Sequence, residues 1–241
     1  MRITSLSRSV SIFLLVTAML TFVCVSANAS GTASAKGTDA ATAPVQADDS
    51  AGPEEQPESI PAILQQIIDK RDSAACEERI DFNAVSGHFF DDALPYLNEA
   101  VASGKIKLEG ALPLLLSSLN SGQPAARIGA RAMLGSEARK FVLYGISSGS
   151  FAGNPLPKEQ LAQLDGGLFA SLGSVSTARK EFRNGKQLSN DGTNAVVSTT
   201  LFDHGSRKAY NLNLGLEKRG TSWIITSIQN VESLLDKLSQ R

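Results

Sequence analysis

The chain has 241 residues, with 23 basic and 24 acidic side chains and a formal net charge of −1. That balance excludes the clustered basic surface which nucleic acid or an anionic membrane would require. With 42% apolar residues, the roughly 180 residues beyond the polar N-terminal region suffice for one domain with a full core.

The N-terminus comes first. Arg2 and Arg8 open the chain, and no acidic residue precedes Asp39. An apolar run follows from Val10 to Val25, and then Ala27-Asn28-Ala29, a small-x-small exit. A basic end, a short apolar core and a small-residue exit predict a secretory signal peptide over 1–29. The expectation is an exported protein, periplasmic in a bacterial cell, with no membrane span after cleavage. Two alternatives stay open. An uncleaved leader would anchor the chain, although its run is shorter than the ~20 apolar residues of a spanning helix. Lipidation at Cys24 would also tether it, although Val23 is bulkier than the residue such signals place before the cysteine.

Removing residues 1–29 leaves 21 basic against 24 acidic side chains and Cys76 as the one cysteine. No intramolecular disulfide can then form, and the core must hold the fold alone. Glu77 and Glu78 adjoin Cys76 and would raise its thiol pKa, so a small packed side chain is expected there.

Residues 30–58 are rich in Ala, Gly, Ser, Thr, Pro and acids, with Val45 as the one large aliphatic residue. Such a stretch buries too little apolar surface to offset ~1–2 kcal/mol of backbone entropy per residue, and a disordered linker is expected. The domain is placed at 59–241: helical over 59–165, sheet over 174–230, and a terminal helix over 231–238.

Within the helical part, Ser59 is a candidate N-cap and Pro61 suits a first turn. Ile60, Ile63, Leu64, Ile67 and Ile68 follow at helical spacing on one stripe. Asp69–Asp72 closes that helix, and a short helical turn runs through Cys76. Asp81 is expected to cap a segment carrying Phe82, Val85, Phe89 and Phe90. Asp92 is expected to cap another, with Pro95 in its first turn and Gly104 past its end. Leu108, Leu112, Leu115 and Leu119 mark a further helix, ended by Asn120-Ser121-Gly122. Pro124 opens a longer one, with Ile128, Met133, Leu134, Phe141, Val142 and Ile146 as core positions. A short helical piece is expected near Glu159–Leu164.

The period then falls to two. Ser174–Gln187 is the first expected strand, and Asn190-Asp191-Gly192 is a strong turn signal. Thr193–Phe202 has strand composition, and Asp203-His204-Gly205-Ser206 turns the chain again. Tyr210, Leu212, Leu214 and Leu216 alternate with polar residues and glycine. Arg219-Gly220-Thr221 makes the last turn before Trp223–Ile228, and Val231–Leu238 reads as a helix. Helices first and an antiparallel four-stranded meander second define an α+β domain with helices on one sheet face.

Three segments carry a family resemblance: Ile67-Ile68-Asp69-Lys70-Arg71-Asp72-Ser73-Ala74-Ala75, Ile80-Asp81-Phe82-Asn83-Ala84-Val85, and Leu216-Glu217-Lys218-Arg219-Gly220-Thr221-Ser222-Trp223-Ile224-Ile225. They resemble the nuclear-transport-factor-2-like superfamily, in its exported bacterial branch. The resemblance implies a cone-like domain, a curved sheet wrapped around helices, with a pocket at the open end. Region 86–157 is longer and more helical than in compact members and could close that pocket. Fold of this kind does not give function.

A ketosteroid-isomerase-like site would set a carboxylate beside a Tyr in an apolar cavity. Asp191 and Asp203 sit in turns, where local backbone bonds explain them. Glu217 lies opposite Leu214 and Leu216, and Glu181 shares a face with Arg179 and Arg183. Glu77-Glu78 and Asp91-Asp92 are sequence neighbours that do not face each other on a helix. His88 and His204 lack the spacing of a metal site, and no nucleophile motif or phosphate loop is present. Gly145 and Gly149 stand four apart on a helix. Arg127, Arg131 and Arg139 share a helix face, as a solvated stripe or an anion site. Phe89, Tyr144, Phe182, Tyr210 and Trp223, among other aromatic residues, are expected either to line a ligand pocket or to form the core.

The expectation is therefore a non-catalytic exported domain without cofactor or metal, binding a small apolar ligand or an envelope protein. The alternatives are a small cone-pocket enzyme (isomerase, lyase or hydrolase) and a structural envelope subunit.

Overall fold

The computed structural model describes residues 54–104, 112–156 and 178–239. The leader 1–29 with Cys24, the linker up to residue 53, Leu108, the helical piece at 159–164 and the strand start at 174–177 lie outside the described residues.

A single 3₁₀ turn, Pro57–Ser59, leads into α1 (Ile60–Lys70). Ser59 does not cap. It already has helical dihedrals, and its hydroxyl donates to the Gln56 carbonyl at 2.7 Å, because the helical turn starts earlier, at Pro57. Ile60, Leu64, Ile67 and Ile68 are buried on the expected stripe. Arg71 ends the helix in the left-handed region (φ 58°). Asp72 then caps α2 (Ser73–Arg79), accepting the Ala75 N–H at 2.9 Å. Asp81 caps α3 (Phe82–Ala102) in the same way through the Ala84 N–H at 3.0 Å.

The two segments expected on either side of Asp92 are one continuous helix, α3. Asp91 and Asp92 are exposed on its surface, and Pro95 lies inside it. Phe89, Phe90, Ala93 and Leu97 carry one buried stripe across the proposed break, and that packing outweighs the proline. α4 (Leu112–Leu119) and α5 (Pro124–Ser147) follow and pack on each other.

α5 corrects the expected core. Leu134, Phe141, Val142 and Ile146 are buried, but Ile128 is 66% exposed and Met133 46%. Ile128 and Ile146 are eighteen residues apart, about five full turns, so they point the same way from the helix axis. Only the C-terminal half is covered on that side, where Phe151 and the Gly149–Gly153 turn fold back on it. Ala130, Gly135, Ala138 and Gly145 are the remaining buried positions, small enough to let α5 approach its neighbours.

The sheet is a meander in the order β1 (Lys180–Asn190), β2 (Asn194–Asp203), β3 (Lys208–Arg219), β4 (Ser222–Ile228). All neighbouring strands are antiparallel. The first strand begins later than expected and runs to Asn190, with bulges between Arg183 and Lys186 and between Gln187 and Ser189. Ala195, Val197, Leu201, Leu212, Leu214 and Leu216 face the helices. Val196, Ser198, Thr200 and Phe202 alternate with them on the opposite face and stay partly exposed among the described residues. α1 packs on β1, α3 on β4, and α6 (Val231–Ser239) on α3. The Asp81 N–H donates to the Ile225 carbonyl at 2.9 Å, which covers part of the β4 edge.

Residues 54–58, read from the sequence as the end of the linker, lie against the domain. Pro57 is buried, and the Trp223 indole N–H donates to the Glu55 carbonyl at 2.9 Å. The Glu55 carboxylate accepts from Arg79 and from the Trp223 backbone N–H. A polar composition hid this attachment, because the Glu55 hydrogen bonds and the one buried Pro57 hold it rather than a run of apolar residues. Among the described residues, no helix is long and apolar enough to cross a membrane.

Candidate functional site

The five aromatic residues expected at a pocket or in the core are carried on five different elements, α3, α5, β1, β3 and β4. Phe89 belongs to the α3 core and meets Phe90 edge-on at 5.8 Å. Tyr144 is half-buried on α5. Phe182 is buried on β1, where its N–H donates to the Gln65 side chain of α1 at 2.8 Å. Tyr210 is buried on β3 and Trp223 on β4, the latter tied to Glu55. Phe89, Phe182, Tyr210 and Trp223 belong to the core between helices and sheet, and Tyr144 does not.

The other candidates resolve into local structure. Asp191 organises the β1–β2 turn, accepting the N–H groups of Thr193 and Asn194 at 2.9 and 2.6 Å and the Thr193 hydroxyl at 2.8 Å. Those bonds hold its carboxyl at a pKa of about 2, with the Asn194 N–H the largest cause. Glu181 bonds Arg183 and His204, both at 2.8 Å, and these partners bring it to about 2 as well, Arg183 first. Glu217 pairs with Arg219. His88 is exposed on α3. Among the described residues no group of three His, Cys, Asp or Glu side chains could hold a metal ion. Arg139 pairs with Glu77 of α2, and Arg127 and Arg131 with Asp91 of α3, so the arginine stripe of α5 ties helices together. Cys76 is buried, and burial foremost, then Glu77 and Asp72, pushes its thiol up to about 12. Gly145 is required for packing: a Cβ there would sit 2.3 Å from the Phe151 ring.

Sequence reasoning missed a buried ion pair. Lys180 and Asp203, cross-strand partners on β1 and β2, are 5% and 6% exposed, and Lys180 Nζ donates to Asp203 Oδ1 at 2.6 Å. Asp203 also accepts the Gly205 and Ser206 N–H groups and the Ser206 hydroxyl of the β2–β3 turn. Burial pulls the Lys180 ammonium below its ordinary range, and Asp203 works against that. Tyr210 lies nearby, its phenol raised by burial first and by the Asp203 charge, with Ser206 opposing. The signal was present. Arg179, Glu181 and Arg183 were assigned to one face, which leaves Lys180 and Phe182 pointing inward.

A groove of about 320 Å³ lies on the outer face of the sheet, at the end nearest the β1–β2 turn. Its floor is a row crossing all four strands, set by the register: Ser189 opposite Val196, Val196 opposite Gly215, Gly215 opposite Ser227. Gly215 makes the trough, since a Cβ there would meet Ser227 Oγ at 2.1 Å and Gln229 Nε2 at 3.1 Å. A bulge at Thr226 turns the strand beside it. The Asn190–Asn194 turn forms the rim. None of the five expected aromatic residues lines this groove.

No family model matches the chain, and no curated protein and no solved structure matches it.

Proposed function

We propose that this protein is an exported, non-catalytic binding module of the bacterial cell envelope, built on the cone-like plan of the nuclear-transport-factor-2-like superfamily. The observation that carries this reading is where the aromatic residues and the groove lie. Phe89, Phe182, Tyr210 and Trp223 are used for packing, while the open groove sits on the other side of the sheet and is walled by hydroxyl and amide side chains. A partner met through that face would be recognised by hydrogen bonds rather than by an apolar cavity. The helices-on-meander architecture and its bulged strands support the superfamily reading, and the leader pattern of residues 1–29 supports export.

The test joins both halves. Expressed with its own leader in a Gram-negative host, the chain should be recovered by osmotic shock with an intact mass beginning at Ser30. An envelope component should co-purify with it, and Val196→Arg, which fills the groove, should release that component without lowering the melting temperature. Retention of residues 1–29 in the cytosol, or co-purification indifferent to Val196→Arg, would contradict the reading.

A further inference from the structure

The groove walls select a ligand chemistry. Ser189, Ser227 and Gln229 project a hydroxyl, a hydroxyl and an amide, and none of these side chains is engaged in a hydrogen bond among the described residues. Ser227 Oγ and Gln229 Nε2 converge over the Gly215 backbone, while Ser189 closes the far end of the same row. Each group both donates and accepts, and a complementary ligand does the same at closely spaced positions. No lysine or arginine lines the groove, so nothing there neutralises a phosphate or a carboxylate. Its one acid, Asp191, spends its oxygens on the β1–β2 turn and offers little to a cation. The floor between the polar ends is a Val196 side chain beside bare Gly215 backbone, a small apolar step. A sugar ring has this profile: hydroxyls around its edge that donate and accept, and C–H faces that lie on an apolar step. The volume stands at the small end of ligand sites.

We infer that this trough is a binding site for a short stretch of neutral polysaccharide, laid across the strands along the Ser189–Val196–Gly215–Ser227 row. This rests on the binding-module reading and names its ligand class.

Titration calorimetry on the chain purified after export tests it. The probes are chitotriose, cellotriose and maltotriose, with trigalacturonate as the anionic counterpart. At least one neutral trisaccharide should give a saturable isotherm, and trigalacturonate should bind at least about tenfold more weakly, because no cation meets its carboxylates. The double variant Ser227→Ala with Gln229→Ala removes two polar ends that line the groove and should weaken binding about tenfold, the loss of two ordinary hydrogen bonds, at an unchanged melting temperature. Gly215→Ala should weaken it as well; should that variant unfold, the Ser227/Gln229 pair still decides. Absence of saturable binding by every neutral probe at millimolar concentration overturns the inference, and so does binding indifferent to the double variant. If another envelope component still co-purifies with the exported chain in that event, the binding-module reading stands and only the ligand class is lost.

Discussion

Asp203 holds together more of this molecule than its place in a turn would announce. It ends β2, caps the exposed turn to β3 with three donors and neutralises Lys180 on β1, with both charged side chains buried. Removing one partner of a buried pair strands the other charge, whereas the pair itself contributes modestly. The two halves of this pair are not equivalent. Asp203→Ala leaves the Lys180 ammonium buried without its carboxylate and should cost about 3–5 kcal/mol. Lys180→Met leaves Asp203 with its turn donors and should cost about 1–3 kcal/mol. Urea denaturation of both variants checks the order, and equal losses would show that the turn donors do not support the carboxylate. Asp191 makes a pH prediction at the same scale. Its folded pKa lies near 2, below the value of an unfolded aspartate, so its contribution is present above the unfolded value. That contribution fades as pH falls through the folded value. Carboxyl NMR shifts should show Asp191 still ionised at pH 3, and Asp191→Asn should flatten the acid side of the stability profile between about pH 4 and 2.

At the scale of elements, α5 shows how one substitution changes sign along one helix. Nothing lies within 4 Å of a Cβ built at Gly129, whereas at Gly145 the Phe151 ring is in the way. Gly129→Ala should stabilise by about 0.5–1 kcal/mol through backbone entropy. Gly145→Ala should destabilise by about 1–3 kcal/mol through overpacking. Thermal melts of the two variants should therefore move in opposite directions. The same helix marks the limit of reading structure from sequence. Local patterns set the stripe of α1, the cap at Asp81 and all three turns of the meander, because these are effects with fixed spacing, whereas Asp72 read as the close of α1 and caps α2. Such patterns could not separate Ile128 from Ile146, which share an azimuth and differ only in what the rest of the chain lays over them. They divided α3 at Asp92 because a proline and two acids look like a boundary until Phe89 and Leu97 are seen in one core.

For the whole molecule, the α+β plan was legible and the site was not. The alternation of Tyr210, Leu212, Leu214 and Leu216 announces a sheet with one covered face. The groove, in contrast, is defined by register: Ser189, Val196, Gly215 and Ser227 become neighbours only when three hairpins fix which residues stand opposite each other. Ser227 and Gln229 have no pattern of their own in the sequence, and Gly215 read as a lone glycine in a strand. Aromatic residues drew attention instead, and in the fold Phe89, Phe182, Tyr210 and Trp223 are buried between sheet and helices. The proposed binding-module reading depends on that burial, since it puts the proposed recognition on the polar outer face rather than in an apolar interior.

Xenon separates the two most directly, because it enters dry apolar cavities and ignores filled cores. In ¹H–¹⁵N correlation spectra of the exported chain under increasing xenon pressure, the amides of Phe89, Phe182, Tyr210 and Trp223 should show only small, linear, non-saturating shifts. Saturable shifts clustered at those residues would reveal an apolar pocket inside the domain and return the binding site to the interior.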